Sequence, residues 1–350
     1  MSRKLRVALI AGGRSSEHEI SLASARSVLA ALDPERYEVT TVAIERSGRW
    51  TLGEGARELA GESVVPTQSP VESLPVLGDS SPARALGAVD VALPILHGPF
   101  GEDGTVQGLL ELAGIPYVGA GVAASALCMD KDLFKAVLRD RGIAVARNIT
   151  LRLGDEIENP FDYPVFVKPA RMGSSVGITK AHDEAELVAA VALARRHDEK
   201  VLVEELLTGT EVECGVLGNQ GGNLSPAPIA SVVGEIVPHA EWYDYAAKYE
   251  AGGSDIVVPA RLPADVTARV QELAIAAFVA TDCEGMARVD FFVTDDGEVV
   301  VNELNTIPGF TPTSVYARLF DASGIPYAEL LDRLIQLALD RHERRSGLEF

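Results

Sequence analysis

Residues 5–44 read LRVALIAGGRSSEHEISLASARSVLAALDPERYEVTTVAI, and this stretch decides the fold. Residues 5–11 form an apolar run that stops at Gly12-Gly13, the pattern of a strand. Ser15-Ser16-Glu17 then opens a segment in which Ile20, Ala23, Ala25, Val28, Leu29 and Leu32 share roughly one helical face. Serine caps and an early glutamate are helix-start signals, and Asp33-Pro34 closes the helix. Tyr37 to Ile44 reads as a second strand. Strand, helix and strand in alternation predict a mostly parallel sheet with helices on its faces, an α/β protein.

Working outward, a third strand is expected at 89–96, ending at His97-Gly98, after a Gly-, Ser- and Pro-rich stretch of little order at 52–82. A second unit begins near Asp130, with a helix at 131–141 and short strands at 165–168, 177–180 and 201–206. A third has strands at 211–218 and 228–233, a polar-aromatic stretch at 241–255 and a long helix at 263–280. It ends with a hairpin at 286–304 and a closing helix around 327–341. The expected domains are therefore 1–125, 126–215 and 216–350. No period of twenty to fifty residues recurs, which excludes a solenoid.

The 350 residues are 47% hydrophobic and 23% charged, a globular composition. Thirty-one basic against 51 acidic residues leave a net charge of −20. That balance argues against nucleic acid and anionic membrane as partners, since both want basic patches. Cys128, Cys214 and Cys283 form no CxxC pair and read as apolar fillers in a reducing compartment. The N-terminal residues read as a strand rather than a signal peptide, and no run approaches the roughly eighteen apolar residues of a membrane span. Six scattered histidines without HExxH argue against a zinc hydrolase.

The sharpest local inference comes from MARVDFFVT and EVVVNELN, two β-rich runs separated by Asp295-Asp296-Gly297. An Asp-Gly pair favours a two-residue type I′ turn. Centred on Asp296-Gly297, such a turn sets Asp290 opposite Glu303 and Arg288 opposite Asn305, all four on one face. Facing carboxylates repel unless a cation lies between them, and carboxylate plus amide oxygens suit Mg²⁺ or Mn²⁺. A solvated face on which Arg288 neutralises one acid is the alternative, and a three-residue turn would break the register.

No GxxxxGK[ST] is present. Lys168-Pro-Ala-Arg-Met-Gly173-Ser174-Ser175-Val-Gly177 instead places a glycine-serine loop and a strand-end lysine between two expected strands, a pattern able to cradle phosphate. Alone, such a loop is more often a plain turn, and Lys131, a second candidate, is more often a solvated helix residue. Glu17 and His97 follow strand ends, where ligands gather in doubly wound sheets, although a dipole partner and a structural histidine are the commoner readings. Trp242 to Tyr249 suits a lid, or an aromatic patch on the core.

Taken together, these motifs resemble the D-alanine–D-alanine ligases of the ATP-grasp superfamily. GGRSSEHEISLASA at 12–25, HGPFGEDGTVQGLLELAGIPYVGAG at 97–121 and KPARMGSSVGITK at 168–180 match in order. YDYAAKY at 243–249 and RVDFFV with NELNTIPGFTPTSVY within 288–316 complete the set, and the resemblance runs from about residue 5 to 340. It implies an ATP-grasp fold: an N-terminal doubly wound domain followed by two α+β subdomains. Lys131, Lys168 and the loop Gly173, Ser174 and Ser175 would hold ATP phosphates; Glu204 and the backbone to Leu207 would hold adenine, and Glu211 the ribose. Asp290, Glu303 and Asn305 would ligate two Mg²⁺ or Mn²⁺ ions, and Arg288 would stabilise charge at the reacting carboxyl. Glu17, near His97, would bind the first D-alanine; Ser314, with Gly309 and neighbouring Val315, the second. Lys248 and Tyr249 would close the lid, Tyr249 linking with Ser174 and Glu17.

The implied reaction is an ATP-dependent joining of two D-alanines through an acyl phosphate, for peptidoglycan precursors, by a cytoplasmic homodimer. Val315 and Ala317 depart from the residues usual beside the second-substrate serine, while Lys248-Tyr249 favours an amine nucleophile over the D-lactate of related ligases, the alternative activity. A binding module without chemistry would be expected to lose the metal ligands or Arg288, and both are present. A dinucleotide oxidoreductase would want GxGxxG after the first strand, and Gly12-Gly13-Arg14 lacks that spacing. Substituting Glu303→Gln should nearly abolish turnover with an unchanged circular-dichroism spectrum; wild-type turnover in that variant would remove Glu303 from the metal site.

Overall fold

The computed structural model describes residues 3–52, 89–221, 226–238 and 253–349. Strand β1 (Leu5–Gly12), helix α1 (His18–Ala31) and strand β2 (Tyr37–Ile44) form the expected opening unit. With β3 (Trp50–Leu52) and β4 (Val91–Ile95) they build a four-stranded sheet of order β3-β2-β1-β4, parallel except at the β3 edge. Both faces are covered, as a parallel sheet requires. Val7, Leu9 and Ala11 pack with α1 and with α8 (Tyr327–Ser346), while Ala8 and Ile10 pack with Val106 and Leu110 of α2 (Thr105–Leu112). The connections from β1 and β4 leave on opposite sides of the sheet, so the loops after both strands open into one crevice.

Ser15 does not cap α1. The cap position is Glu17, without a side-chain cap bond, and the Ser15 hydroxyl accepts from the Glu17 N–H (3.0 Å) while donating to the His97 carbonyl (2.7 Å). The serine therefore ties the first crevice loop to the second.

After α3 (Val122–Met129), α4 (Lys131–Asp140) starts at Asp130, whose carboxylate accepts from the Leu133 N–H at 3.2 Å and from Lys200 Nζ at 2.8 Å. Strands β5 (Asn148–Leu151), β6 (Val165–Pro169), β7 (Thr179–Ala181) and β8 (Val201–Glu205) form an antiparallel sheet, order β5-β8-β6-β7, under α5 (Glu184–Ala194). A larger sheet has the order β11-β10-β9-β12-β13, from β9 (Thr210–Gly218), β10 (Ile229–Pro238), β11 (Ser254–Val257), β12 (Gly285–Val293) and β13 (Val299–Asn305). Helix α6 (Ala264–Ala280) seals one face through Val270, Leu273 and Phe278; α7 (Val315–Ala322) lies on the other, its Tyr316 and Phe320 against Gly215.

The residue pairs 125/126 and 215/216 fall inside α3 and β9. Helices α2, α3, α5 and α7 and strands β3, β5 and β11 went unread in the sequence. Helices such as VAASALCM and EAELVAAVALA carry apolar residues on most sides, and strands of three or four residues are too short to show alternation. The stretches at 53–88 and 239–252 lie outside the described residues.

The hairpin pairs Arg288 with Asn305 and Asp290 with Glu303, as expected, but by another route. Its end is a three-residue loop, Asp295-Asp296-Gly297, closed by the Thr294 N–H on the Glu298 carbonyl at 2.9 Å, so that Val293 faces Val299. Carried on unbroken, that register would put Glu303 opposite Val289, on the buried face. A bulge at Asn302, between the Phe291–Val301 and Asp290–Glu303 pairs, restores the acidic face. Gly297 sits at φ +86° with nothing within 4 Å of an added Cβ, so substitution there costs backbone conformation alone. Gly297→Ala should lower unfolding free energy by about 1 kcal/mol, and Gly297→Asn by less, in urea titrations.

Candidate active site

Two cavities meet where the three sheets converge. The first, of about 460 Å³, is lined by all six residues assigned to the amino-acid substrates: Glu17, His97, Arg288, Gly309, Ser314 and Val315. The second, of about 490 Å³, is lined by Lys131, Lys168, the loop Gly173-Ser174-Ser175, Glu204, Leu207 and Glu211. Gly173, Ser174 and Glu303 line both, so the glycine-serine loop and the acidic hairpin form the passage between them. Ala317, the second departure noted in the sequence, is 1% exposed and lines neither. Lys248 and Tyr249 lie outside the described residues.

Lys131 is the first residue of α4, and its Nζ donates to the Met172 carbonyl at 2.6 Å. One cation thus holds the root of the glycine-serine loop while lying 3.9 Å from Glu303. In that loop Ser174 (φ 51°) and Ser175 (φ 57°) occupy the left-handed region, which non-glycine residues adopt only when their surroundings enforce it. The Ser174 hydroxyl donates to Glu17 across the mouth of the first cavity. Gly98 is required at the same place: at φ +73°, a Cβ there would lie 2.4 Å from Glu17 Oε2.

On the hairpin, Arg288 makes a forked pair with Asp290, Nε to Oδ1 and Nη2 to Oδ2, both at 2.7 Å. Its Nε is also 2.9 Å from Glu213 Oε2 on the adjacent strand β9, a carboxylate with 1% exposure. The Asn305 amide donates to Asp290 Oδ2 at 3.0 Å. Arg288 therefore does neutralise an acid, and it does so while facing the cavity. Two carboxylates and an amide on neighbouring strands are hard oxygen donors, a set that fits a divalent cation able to take its remaining oxygens from water and phosphate. Among the described residues no group of three or more His, Cys, Asp or Glu is gathered as a metal cage, so the hairpin offers two carboxylates and an amide and leaves the remaining positions to other oxygens.

The sequence reading missed Glu102, although it lies within the HGPFGEDG motif. Its carboxyl accepts from the Gly98 N–H (2.7 Å) and the Ile307 N–H (3.0 Å), joining the second crevice loop to the turn after β13. Burial, reinforced by the charge of Glu17, pushes this carboxyl up to about 8. His97 is held by the same turn: Nδ1 donates to the Ile307 carbonyl at 2.9 Å, leaving Nε2 as acceptor towards the Ser24 hydroxyl at 3.4 Å. Burial lowers the His97 pKa despite Glu17, which keeps the ring neutral.

A nucleotide-sized cleft between a small antiparallel sheet and a larger one, with lysines at one side and an acidic hairpin at the other, defines the ATP-grasp class. Residues 6–120 match the family described as "D-ala D-ala ligase N-terminus" and residues 137–336 the family described as "D-ala D-ala ligase C-terminus". The chain belongs to the D-alanine–D-alanine ligase family. It is 47% identical to D-alanine–D-alanine ligase A of Mesorhizobium japonicum, covering 99% of this chain and 100% of that protein. It superposes on the D-alanine–D-alanine ligase of Coxiella burnetii with TM-score 0.81 and 39% identity, over 99% and 97% of the two chains. A D-Ala:D-Ser ligase of Enterococcus faecalis gives TM-score 0.81 and 38% identity, over 96% of this chain and 100% of that one.

A carboxyl raised to about 8 in the native state binds a proton that the unfolded chain releases near pH 4.5. Its contribution to stability is present below that lower value and is lost as pH rises through about 8. Thermal unfolding should therefore show a decline between about pH 5 and about pH 9 that is absent from Glu102→Gln. Parallel curves for the two proteins would contradict the raised value.

Proposed function

We propose that this chain joins two D-alanines to D-alanyl-D-alanine at the expense of ATP, supplying peptidoglycan precursors. The single observation that carries the reading is the pair of cavities sharing Gly173, Ser174 and Glu303, which sets a nucleotide site and a small zwitterion site end to end. Glu17 offers a carboxylate to the ammonium of the first D-alanine, and Arg288 a guanidinium to its carboxylate. That carboxylate attacks the γ-phosphate, forming an acyl phosphate and releasing ADP. Lys131 and Lys168 offset phosphate charge, and the loop at 173–175 places backbone N–H groups and hydroxyls beside it. Glu204 and the backbone to Leu207 receive adenine, and Glu211 the ribose.

Asp290, Glu303 and Asn305 would hold two Mg²⁺ or Mn²⁺ ions; such cations, when bound, neutralise charge on the transferring phosphoryl group. Ser314, with Gly309 and Val315, orients the second D-alanine, whose amine attacks the acyl carbon, and Arg288 stabilises the tetrahedral intermediate until phosphate leaves. The family motif YDYAAKY assigns Lys248 and Tyr249 to keeping water from the acyl phosphate. The curated relatives carry the D-alanine–D-alanine name, which favours that product over the D-lactate ester. The domain division at 1–125, 126–215 and 216–350, a homodimeric state and a cytoplasmic location complete the proposal. Among the described residues no helix is long and apolar enough to cross a membrane.

Phosphate release should require ATP, a divalent cation and D-alanine, and mass analysis should find D-alanyl-D-alanine. Addition of D-lactate or D-serine should not divert the product. An ester or a D-alanyl-D-serine product would move the second-substrate assignment, with Val315 the first position to exchange. L-alanine should be inert.

A further inference from the structure

Lys135 lies one helical turn after Lys131 on α4 and is 1% exposed, among the largest side chains sealed inside the protein. Its Nζ lies 2.9 Å from Glu204 Oε1, and the other oxygen, Oε2, lies 2.5 Å from Lys168 Nζ. Glu204 is itself only 2% exposed. Burial would raise this carboxyl, yet Lys135 and Lys168 outweigh burial and hold it at about 2, while burial lowers the pKa of Lys135 against the pull of Glu204. The three residues have different outlooks: Glu204 and Lys168 line the nucleotide cavity, and Lys135 stands behind them.

A buried ammonium is costly to desolvate, and an apolar side chain of similar length would fill the same space without that cost. The arrangement becomes intelligible when the nucleotide arrives. On the reading of Lys168 as a phosphate ligand, its Nζ would swing from Glu204 Oε2 to the phosphate and leave that oxygen to the purine. Without a second cation at its back, the buried carboxylate would take up a proton. A carboxylate only accepts hydrogen bonds, whereas a protonated carboxyl also donates. The 6-amino group of adenine needs an acceptor; a 6-oxo purine needs a donor.

We propose that Lys135 is a positioning residue that fixes the Glu204 carboxylate as a hydrogen-bond acceptor after Lys168 moves to phosphate, and so sets the preference for a 6-amino over a 6-oxo purine nucleotide. The inference rests on the reading of Glu204 as the adenine-facing residue. Lys135 touches neither substrate, and it acts through Glu204.

The test is steady-state kinetics of the full-length enzyme with ATP and with inosine triphosphate, at saturating D-alanine and Mg²⁺. Lys135→Met should raise KM for ATP about tenfold, leave kcat within about threefold, and lower the ATP-to-ITP ratio of kcat/KM about tenfold. A folded Lys135→Met protein with an unchanged ATP-to-ITP ratio, or with equal losses for both nucleotides, would overturn the proposal. Glu204→Gln, which can both donate and accept, separates the two layers. If it leaves the ratio unchanged, the adenine-facing reading of Glu204 has failed. If it collapses the ratio while Lys135→Met does not, the role of Lys135 alone has failed. Should Lys135→Met not fold, the neutral pair Lys135→Met with Glu204→Gln replaces it. Compared with Glu204→Gln alone, that pair should show no further loss of discrimination, and an additional loss would count against the mechanism.

Discussion

Arg288 sits between Asp290 on its own strand and Glu213 on the neighbouring one, and the rest of the cleft is arranged around that contact. Two carboxylates of 3% and 1% exposure cannot remain charged in a protein interior without a cation. The guanidinium answers both because strands β9 and β12 bring the residues side by side in adjacent register. In a chain of net charge −20, several buried lysines are matched to particular acids. Lys200 holds Asp130 at the start of α4; Lys135 and Lys168 hold Glu204. These buried pairs contribute orientation more than stability, since their Coulomb gain is set against desolvation.

The second constraint is the connection between units. The Ser174–Glu17 bond runs from the glycine-serine loop to the first crevice loop, and Glu102 runs from the second crevice loop to the turn after β13. Lys131 ties the nucleotide side to that loop through the Met172 carbonyl. The phosphate loop is thus bonded directly to a residue of the amino-acid cavity. At the far end Arg341 of α8 is buried, donates to the carbonyls of Gly119 and Tyr117, and lies 4.4 Å over the Tyr117 ring. With the core shared by β1, α1, α7 and α8, it fixes the first sheet against the large one.

Much of the site was legible because it lies at strand ends and on a hairpin, where period-two alternation and short motifs carry spatial information. Glu17 and His97 follow strands of the parallel opening sheet, while Lys168 near the end of β6 and Ser174 in the loop after it lie between two strands that the sequence also shows. The hairpin is instructive in a different way. A two-residue turn was the wrong expectation, and the bulge at Asn302 shifted the register back by one residue, so Asp290 and Glu303 still face each other. Neither feature has a signal in VVVNELN that outweighs the Asp-Gly turn. Glu102 and Lys135 were hidden for another reason. A glutamate in a glycine-rich motif and a lysine on an amphipathic helix look solvated until the elements that bury them are in place.

The sequence by itself determined the parallel opening unit, because strand and helix periodicity are local properties of the chain, and its motifs singled out in advance a number of the residues that line the two cavities. Tertiary structure alone decided which acid meets which base. It set Lys135 behind Glu204, raised the Glu102 carboxyl and joined the two cavities at Ser174. Those outcomes depend on desolvation and on contacts between residues far apart in the chain, and neither is encoded in any one segment.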